Sequence, residues 1–375
     1  MDKTSLIIKG EIMKNKIGIL TFYNTTNYGA LLQMFALYKS IEKMDKPVEI
    51  IRYYCEAVEE RENLKITKAK SIKGIIKSII LKKPNSDKQK RFREFEKKNF
   101  CFSHELYNYN TINEMGKEYN SLIVGSDQVW NTKLTGGDYG FFLENVEDVS
   151  KNSYAASFGV EKLSKDEMKK ISGGLQKFDV ITVREKSGEK IVKECIGKSP
   201  KFVLDPTFLF DKKQWKSVMG NNQYVKEKPY ILLYLVQNRK KTISYAQKLA
   251  EQKGWNIKYI NISPYSCKGV ENIRSASPIE FLQLLNGAAL VITGSYHGLA
   301  LSINLERPVY YELNENSVNF NTRISSLISV LNMEACRLDY NNEELPNIDY
   351  NQVNSQLSDL REESVKELER IVGIN

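Results

Sequence analysis

Only two histidines occur among the 375 residues of this chain, and one of them sits where α/β proteins do chemistry. His297 follows the apolar run of "ALVITG" and precedes a second apolar run, "LALSINL". The first reads as a buried strand and the second as the opening of a helix. Ser295 and Tyr296 lie just upstream and Gly298 directly after, so the loop feeds a helix N-terminus. Peptide dipoles there favour an anion, and a charged imidazole strengthens that field. Recognition of a phosphate or carboxylate, with proton donation, is the chemistry such a loop can do; a helix cap is the plainer alternative. His104 is remote in sequence, which leaves no histidine cluster for a metal.

Three further loops carry polar groups after strand-like runs. In the first, Asn24, Thr25, Thr26, Asn27, Tyr28 and Gly29 precede a helix. Small polar residues and a glycine let backbone N–H groups approach an oxygen-rich ligand, although capping by Asn27 or Thr26 explains them equally well. In the second, "VGSDQVWN" places Ser126, Asp127, Gln128 and Trp130 together. A Trp and an Asp suit a sugar, whose C–H face stacks on an aromatic ring while its hydroxyls need acceptors. A turn and a core Trp are the alternative. In the third, "TVREKSG" puts Arg184 and Glu185 at a strand end, where a solvated ion pair is the dull explanation.

The elements that must position these loops alternate. "KIGILTF" leads through "YNTTNYG" into "ALLQMFALYKSIEKM" and then "PVEIIRYY", a βαβ start. Similar units recur to "PVYYE", which predicts parallel sheets covered by helices. The polar, turn-rich stretch "MGNNQYVKEKP" at 219–229 reads as a boundary between two Rossmann-like domains, 13–222 and 223–375. The helical tail 350–375 is placed to cross back onto the first. Ligands of such sheets sit at the carboxyl ends of strands, so a cleft between the domains is the expected site. Met13 reads as the natural start, with residues 1–12 a disordered leader.

Composition narrows the class further. Five scattered cysteines without CxxC argue against a disulfide framework or zinc site. No apolar run approaches the roughly 20 residues needed to cross a bilayer, and no signal-peptide pattern opens the chain. The cytoplasm is the expected compartment. The net charge of +9 is concentrated in 61–100, with fourteen Lys/Arg against four Asp/Glu. There "SIKGIIKSIILKK" interleaves isoleucines with lysines at helical spacing. It reads either as a surface helix packed on its domain or, through 66–83, as a contact with an anionic membrane surface or lipid-linked diphosphate. No nucleic-acid motif is present, and neither a P-loop nor GxGxxG is complete.

Taken together, "GILTFYNTTNYGALLQ", "IVGSDQVWN", "SYAASFG", "TVREKSG", "VLDPTFLF" and "VITGSYHGLALSINLERPV" resemble the polysaccharide pyruvyl transferase family, from about Lys16 to about Arg323. The resemblance implies a two-domain fold similar to GT-B glycosyltransferases. It also implies transfer of the pyruvyl group of phosphoenolpyruvate onto two hydroxyls of a saccharide, as a cyclic ketal. Phosphoenolpyruvate is then the donor substrate, and neither a cofactor nor a metal is required. Arg184 and His297 would hold or activate the donor: His297 as acid or phosphate stabiliser, Arg184 as a planar clamp for an anion. Asp127 would be a base or hydroxyl acceptor. Many members carry Arg-Leu-His-Gly where this chain has Ser295-Tyr296-His297-Gly298. Arg323, in "NTRISSLI", or basic residues of the first domain are the candidates to replace the missing charge. A sugar-nucleotide GT-B glycosyltransferase and a non-catalytic glycan-assembly protein are the rival readings.

Overall fold

A computed structural model describes residues 16–67, 72–221, 224, 228–236, 240–261, 263, 265–314 and 321–373. The expected leader 1–12 lies outside the described residues. Short apolar runs form β1 (Ile17–Leu20), β2 (Val48–Tyr53), β3 (Phe102–Tyr107), β4 (Ser121–Val124) and β5 (Ser150–Ser153). These make one parallel sheet in the order β3-β2-β1-β4-β5. The pair β6 (Thr182–Val183) and β7 (Lys201–Phe202) continues it through single bridges from Asn152 to Val180 and from Ala156 to Val183.

The second sheet repeats the plan. β8 (Tyr230–Tyr234), β9 (Asn256–Ile260), β10 (Glu271–Ile273), β11 (Leu290–Thr293) and β12 (Val309–Tyr311) run parallel in the order β10-β9-β8-β11-β12. The architecture is α/β, with two Rossmann-like sheets. In each, the strand order reverses beside its first strand, between β1 and β4 and between β8 and β11. Loops leaving the carboxyl ends of such a pair diverge and open a crevice. Both crevices are lined by the loops singled out above.

One helix joins the two lobes. α1 (Tyr28–Glu42) is buried over most of its circumference, including Leu31, Leu32, Met34, Phe35 and Leu37. A helix apolar all round belongs inside, and this one shares a single core cluster with Leu282 and Leu299 of the second lobe. Asn27 starts it, its side-chain oxygen accepting from the Gly29 and Ala30 amides.

The basic segment forms α2 (Glu56–Thr67) and α3 (Ile72–Asn99). Phe92 and Phe95 of α3 are buried, and Arg91 pairs with Glu280 of the second lobe. Of the segment 66–83 expected to contact a membrane, residues 68–71 lie outside the described residues and 72–83 belong to α3. No helix among the described residues is long and apolar enough to cross a membrane. The last helix, Tyr350–Ile371, touches the first lobe: the Leu204 amide donates to Ser364 Oγ at 2.9 Å, and Arg361 Nε to the Phe208 carbonyl at 2.6 Å.

Candidate functional site

Where the two crevices face each other lies a cavity of about 340 Å³. From the first lobe it is lined by Thr25, Asn27, Arg61, Asp127 and Gln128, and from the second by Ser295, Tyr296, His297, Glu312 and Arg323, among others. His297 stands in the first turn of the helix Tyr296–Asn304, directly after β11. Ser295 caps this helix by accepting from the Gly298 amide at 3.4 Å, which frees the loop to present the imidazole.

The ring of His297 packs on the opening turn of α1. A Cβ on Gly29 would lie 2.2 Å from His297 Nδ1, so glycine is needed for the lobes to approach this closely. Gly298 has a similar duty, since a Cβ there would meet Thr293 Oγ1 at 2.5 Å.

Behind the imidazole lies a buried charge network. His297 Nε2 is 3.4 Å from Arg184 Nη1 and 3.4 Å from Asp205 Oδ2. Arg184 Nη1 donates to Asp205 Oδ2 at 2.5 Å and to Ser126 Oγ at 3.2 Å, while Nη2 donates to Asp127 Oδ1 at 2.9 Å. Burial alone would raise the Asp205 carboxyl, but His297, Arg184 and the Thr207 amide hold it well below the usual carboxylate range. Asp127 is lowered too: burial opposes, and Arg184, His297 and Arg323 prevail. Arg184 is pushed up despite burial, by Asp205 and Asp127.

This geometry corrects the expected role of Arg184. Its side chain is fully buried, it does not line the cavity, and both terminal nitrogens are committed to aspartates. Its Nε makes no hydrogen bond and lies 3.9 Å from Glu185 Oε2, but it is buried off the cavity, so the guanidinium presents no edge to a donor carboxylate there. Nor is Arg184–Glu185 a solvated pair, because both side chains have zero exposure. Glu185 instead accepts from the Phe158 amide at 2.9 Å and so pins the neighbouring loop.

Arg323, from the helix Thr322–Leu331, is the contrasting group. It lines the cavity, its nearest carboxylate oxygen is Asp127 Oδ1 at 3.9 Å, and its buried Nε has no hydrogen bond. Burial and the charge of Arg184 lower its pKa, as expected of a cation short of an anion. The Tyr296 ring spaces the two arginines, lying 5.1 Å from the Arg184 guanidinium and 5.6 Å from that of Arg323.

Several other expected site residues do structural work instead. Trp130 is fully buried, donates to the Phe141 carbonyl at 3.0 Å and stacks on Phe142, so it cannot meet a sugar. Tyr28 stacks on Phe281 with ring centres 4.4 Å apart and donates to the Ala276 carbonyl, joining the lobes. Asn24 holds φ +54 and binds Glu59 and Arg93 rather than a ligand. Ser126 lies behind the cavity, between Arg184 and Asp205. Gln128 reaches the wall but accepts from Asn131.

Sequence reasoning missed Asp205, Arg61 and Glu312. Asp205 had a signal: in "VLDPTFLF" it follows a strand as Asp127 does, and its Oδ1 caps the Thr207 amide at 3.0 Å. Glu312 follows β12 and accepts from Tyr340 at 2.5 Å and from Thr242. Among the described residues no group of three His, Cys, Asp or Glu side chains could hold a metal ion.

Among solved structures, one from Listeria monocytogenes described as a UDP-N-acetylglucosamine 2-epimerase superposes with a TM-score of 0.52 at 14% identity, covering 95% of this chain and 90% of its own. A structure of S. aureus MnaA with UDP gives 0.51 at 11% identity, covering 97% and 98%. At these identities the likeness is one of fold, and the fold is GT-B-like. No curated protein matches the sequence. The family description "polysaccharide pyruvyl transferase" matches residues 27–315, a span that runs from the Asn27 cap past His297 and Glu312. With that match added to the site geometry, the chain belongs to the polysaccharide pyruvyl transferase family.

Proposed function

We propose that this chain transfers the pyruvyl group of phosphoenolpyruvate onto two hydroxyls of a saccharide, forming a cyclic ketal in surface-polysaccharide synthesis. The observation that carries the reading is His297. It lines the inter-lobe cavity at a helix N-terminus, backed at 3.4 Å by the Asp205 carboxylate and facing the same space as the unbonded Arg323.

The chemistry fits these residues. Protonation of C3 of phosphoenolpyruvate leaves cationic character at C2, which the first sugar hydroxyl attacks with loss of its proton. Inorganic phosphate then departs, and the second hydroxyl adds with loss of its proton to close the ring. A positioned acid and cations on phosphate and carboxylate are required. His297 is the acid in this reading, because it lines the cavity at a helix N-terminus with its Nε2 positioned 3.4 Å from the Asp205 carboxylate. Arg323 takes the anion role first expected of Arg184. Asp127 Oδ2 has no protein partner and is available to accept a sugar hydroxyl. Because its carboxyl is held low, it suits acceptor binding better than proton removal.

Phosphate release from phosphoenolpyruvate with a dihydroxy saccharide acceptor tests the proposal. His297→Ala should lose about a hundred- to a thousandfold in turnover, as for removal of one well-aimed charged donor. Near-normal turnover in a folded variant would refute the role. A thermal-shift comparison separates the rival: stabilisation by UDP-sugars but not by phosphoenolpyruvate would favour a glycosyltransferase.

A further inference from the structure

The charged groups around the cavity fall into two sets. Each of its three carboxylates accepts hydrogen bonds from the protein: Glu62 from the Thr26 amide at 3.1 Å and hydroxyl at 3.0 Å, Asp127 from Arg184, and Glu312 from Tyr340 and Thr242. Its two guanidiniums donate none. Arg323 makes no hydrogen bond, and neither does Arg61, which projects into the same space from α2 of the first lobe. Burial lowers the pKa of Arg61, as it does that of Arg323. Two partly desolvated guanidiniums, one from each lobe, thus face the same cavity with their N–H groups free of hydrogen bonds.

We infer that Arg61 is a second anion-binding residue, which with Arg323 holds one phosphate-type oxyanion across the cleft. The inference rests on the transferase reading for which substrate brings the anion, though not for the anion itself. Guanidinium forks match oxyanions by paired N–H donors, and an anion held from both sides ties the lobes together as it binds. Arg61 lies outside the six motifs that carry the family resemblance. It lies in the basic segment that supplies the chain's charge excess. The anion can come from phosphoenolpyruvate or from a diphosphate on the acceptor.

Isothermal titration of the full chain with phosphoenolpyruvate and, separately, inorganic pyrophosphate distinguishes these sources. Arg61→Gln should weaken at least one ligand by about ten- to a hundredfold, the range for losing a charged hydrogen bond. Arg61→Lys should recover part of that loss by restoring the charge. If one anion touches both arginines, the Arg61→Gln/Arg323→Gln double variant should depart from additivity. Weakening of phosphoenolpyruvate assigns the clamp to the donor, and of pyrophosphate alone to the acceptor. Binding of both ligands within twofold of wild type by folded Arg61→Gln overturns the inference and leaves the proposed function standing. Should wild type bind pyrophosphate but not phosphoenolpyruvate, the transferase reading falls, and the clamp is then judged on pyrophosphate. Binding of neither by wild type overturns both.

Discussion

The two walls of the cleft use the same residue type for opposite purposes. In the first lobe, Arg184 is sealed between Asp127 and Asp205, with no exposure and hydrogen bonds on both terminal nitrogens. In the second, Arg323 touches the same Tyr296 ring but forms no hydrogen bond and opens to the cavity. One arginine completes a buried network, and the other opens to the cavity. An arginine at the end of a strand is therefore not a binding residue merely because it is close to a histidine. Counting its committed N–H groups separates the two roles.

That contrast gives opposite mutational signs. Arg184→Met leaves two buried aspartates facing each other without their cation, which should cost about 3–5 kcal/mol of unfolding free energy. Urea denaturation measures this. Arg323→Met removes a partly buried charge whose nearest carboxylate, Asp127, lies 3.9 Å away and is already bound by Arg184, so stability should hold or rise by about 0.5–2 kcal/mol while donor affinity falls. Equal destabilisation by the two substitutions would erase the distinction between the walls. A rise in stability with unchanged affinity would sharpen it into a purely structural difference.

Much of the fold was legible because its signals are local. Apolar runs followed by polar loops, three of them containing glycine, marked β1, β4, β8 and β11, the four strands that flank the switch points. The edge strands β3 and β10 were missed. "FSHELY" has mostly exposed side chains and β10 is three residues long, so neither carries a strong apolar pattern. The site was half legible. Helix-terminus logic picked out His297 and strand-end position Asp127, both of which line the cavity, while Arg184, picked out the same way, lies behind it. What sequence cannot show is direction: Trp130 lies three residues after Asp127, yet it faces the aromatic core of Phe142, Phe158 and Phe178. Partnership is equally hidden, because Arg184 meets Asp205 across 21 residues and His297 across 113.

The first-lobe wall also has a signature in acid, smaller than that of any substitution above. Asp127 and Asp205 ionise below the ordinary carboxylate value of about 3.9, despite burial, because cations surround them. Folded pKa values below the unfolded ones mean that the unfolded chain binds protons first. Their contribution is therefore complete above about pH 4 and is lost as pH falls through the lower folded values, by up to about 1.4 kcal/mol per pH unit for each group. Urea midpoints of wild type should accordingly fall more steeply below pH 4 than those of Asp205→Asn, which begins less stable but has one such carboxylate fewer. Parallel slopes in the two proteins would mean that the charge of Asp205 is not held by this network, and the first wall would then have to be explained by packing alone.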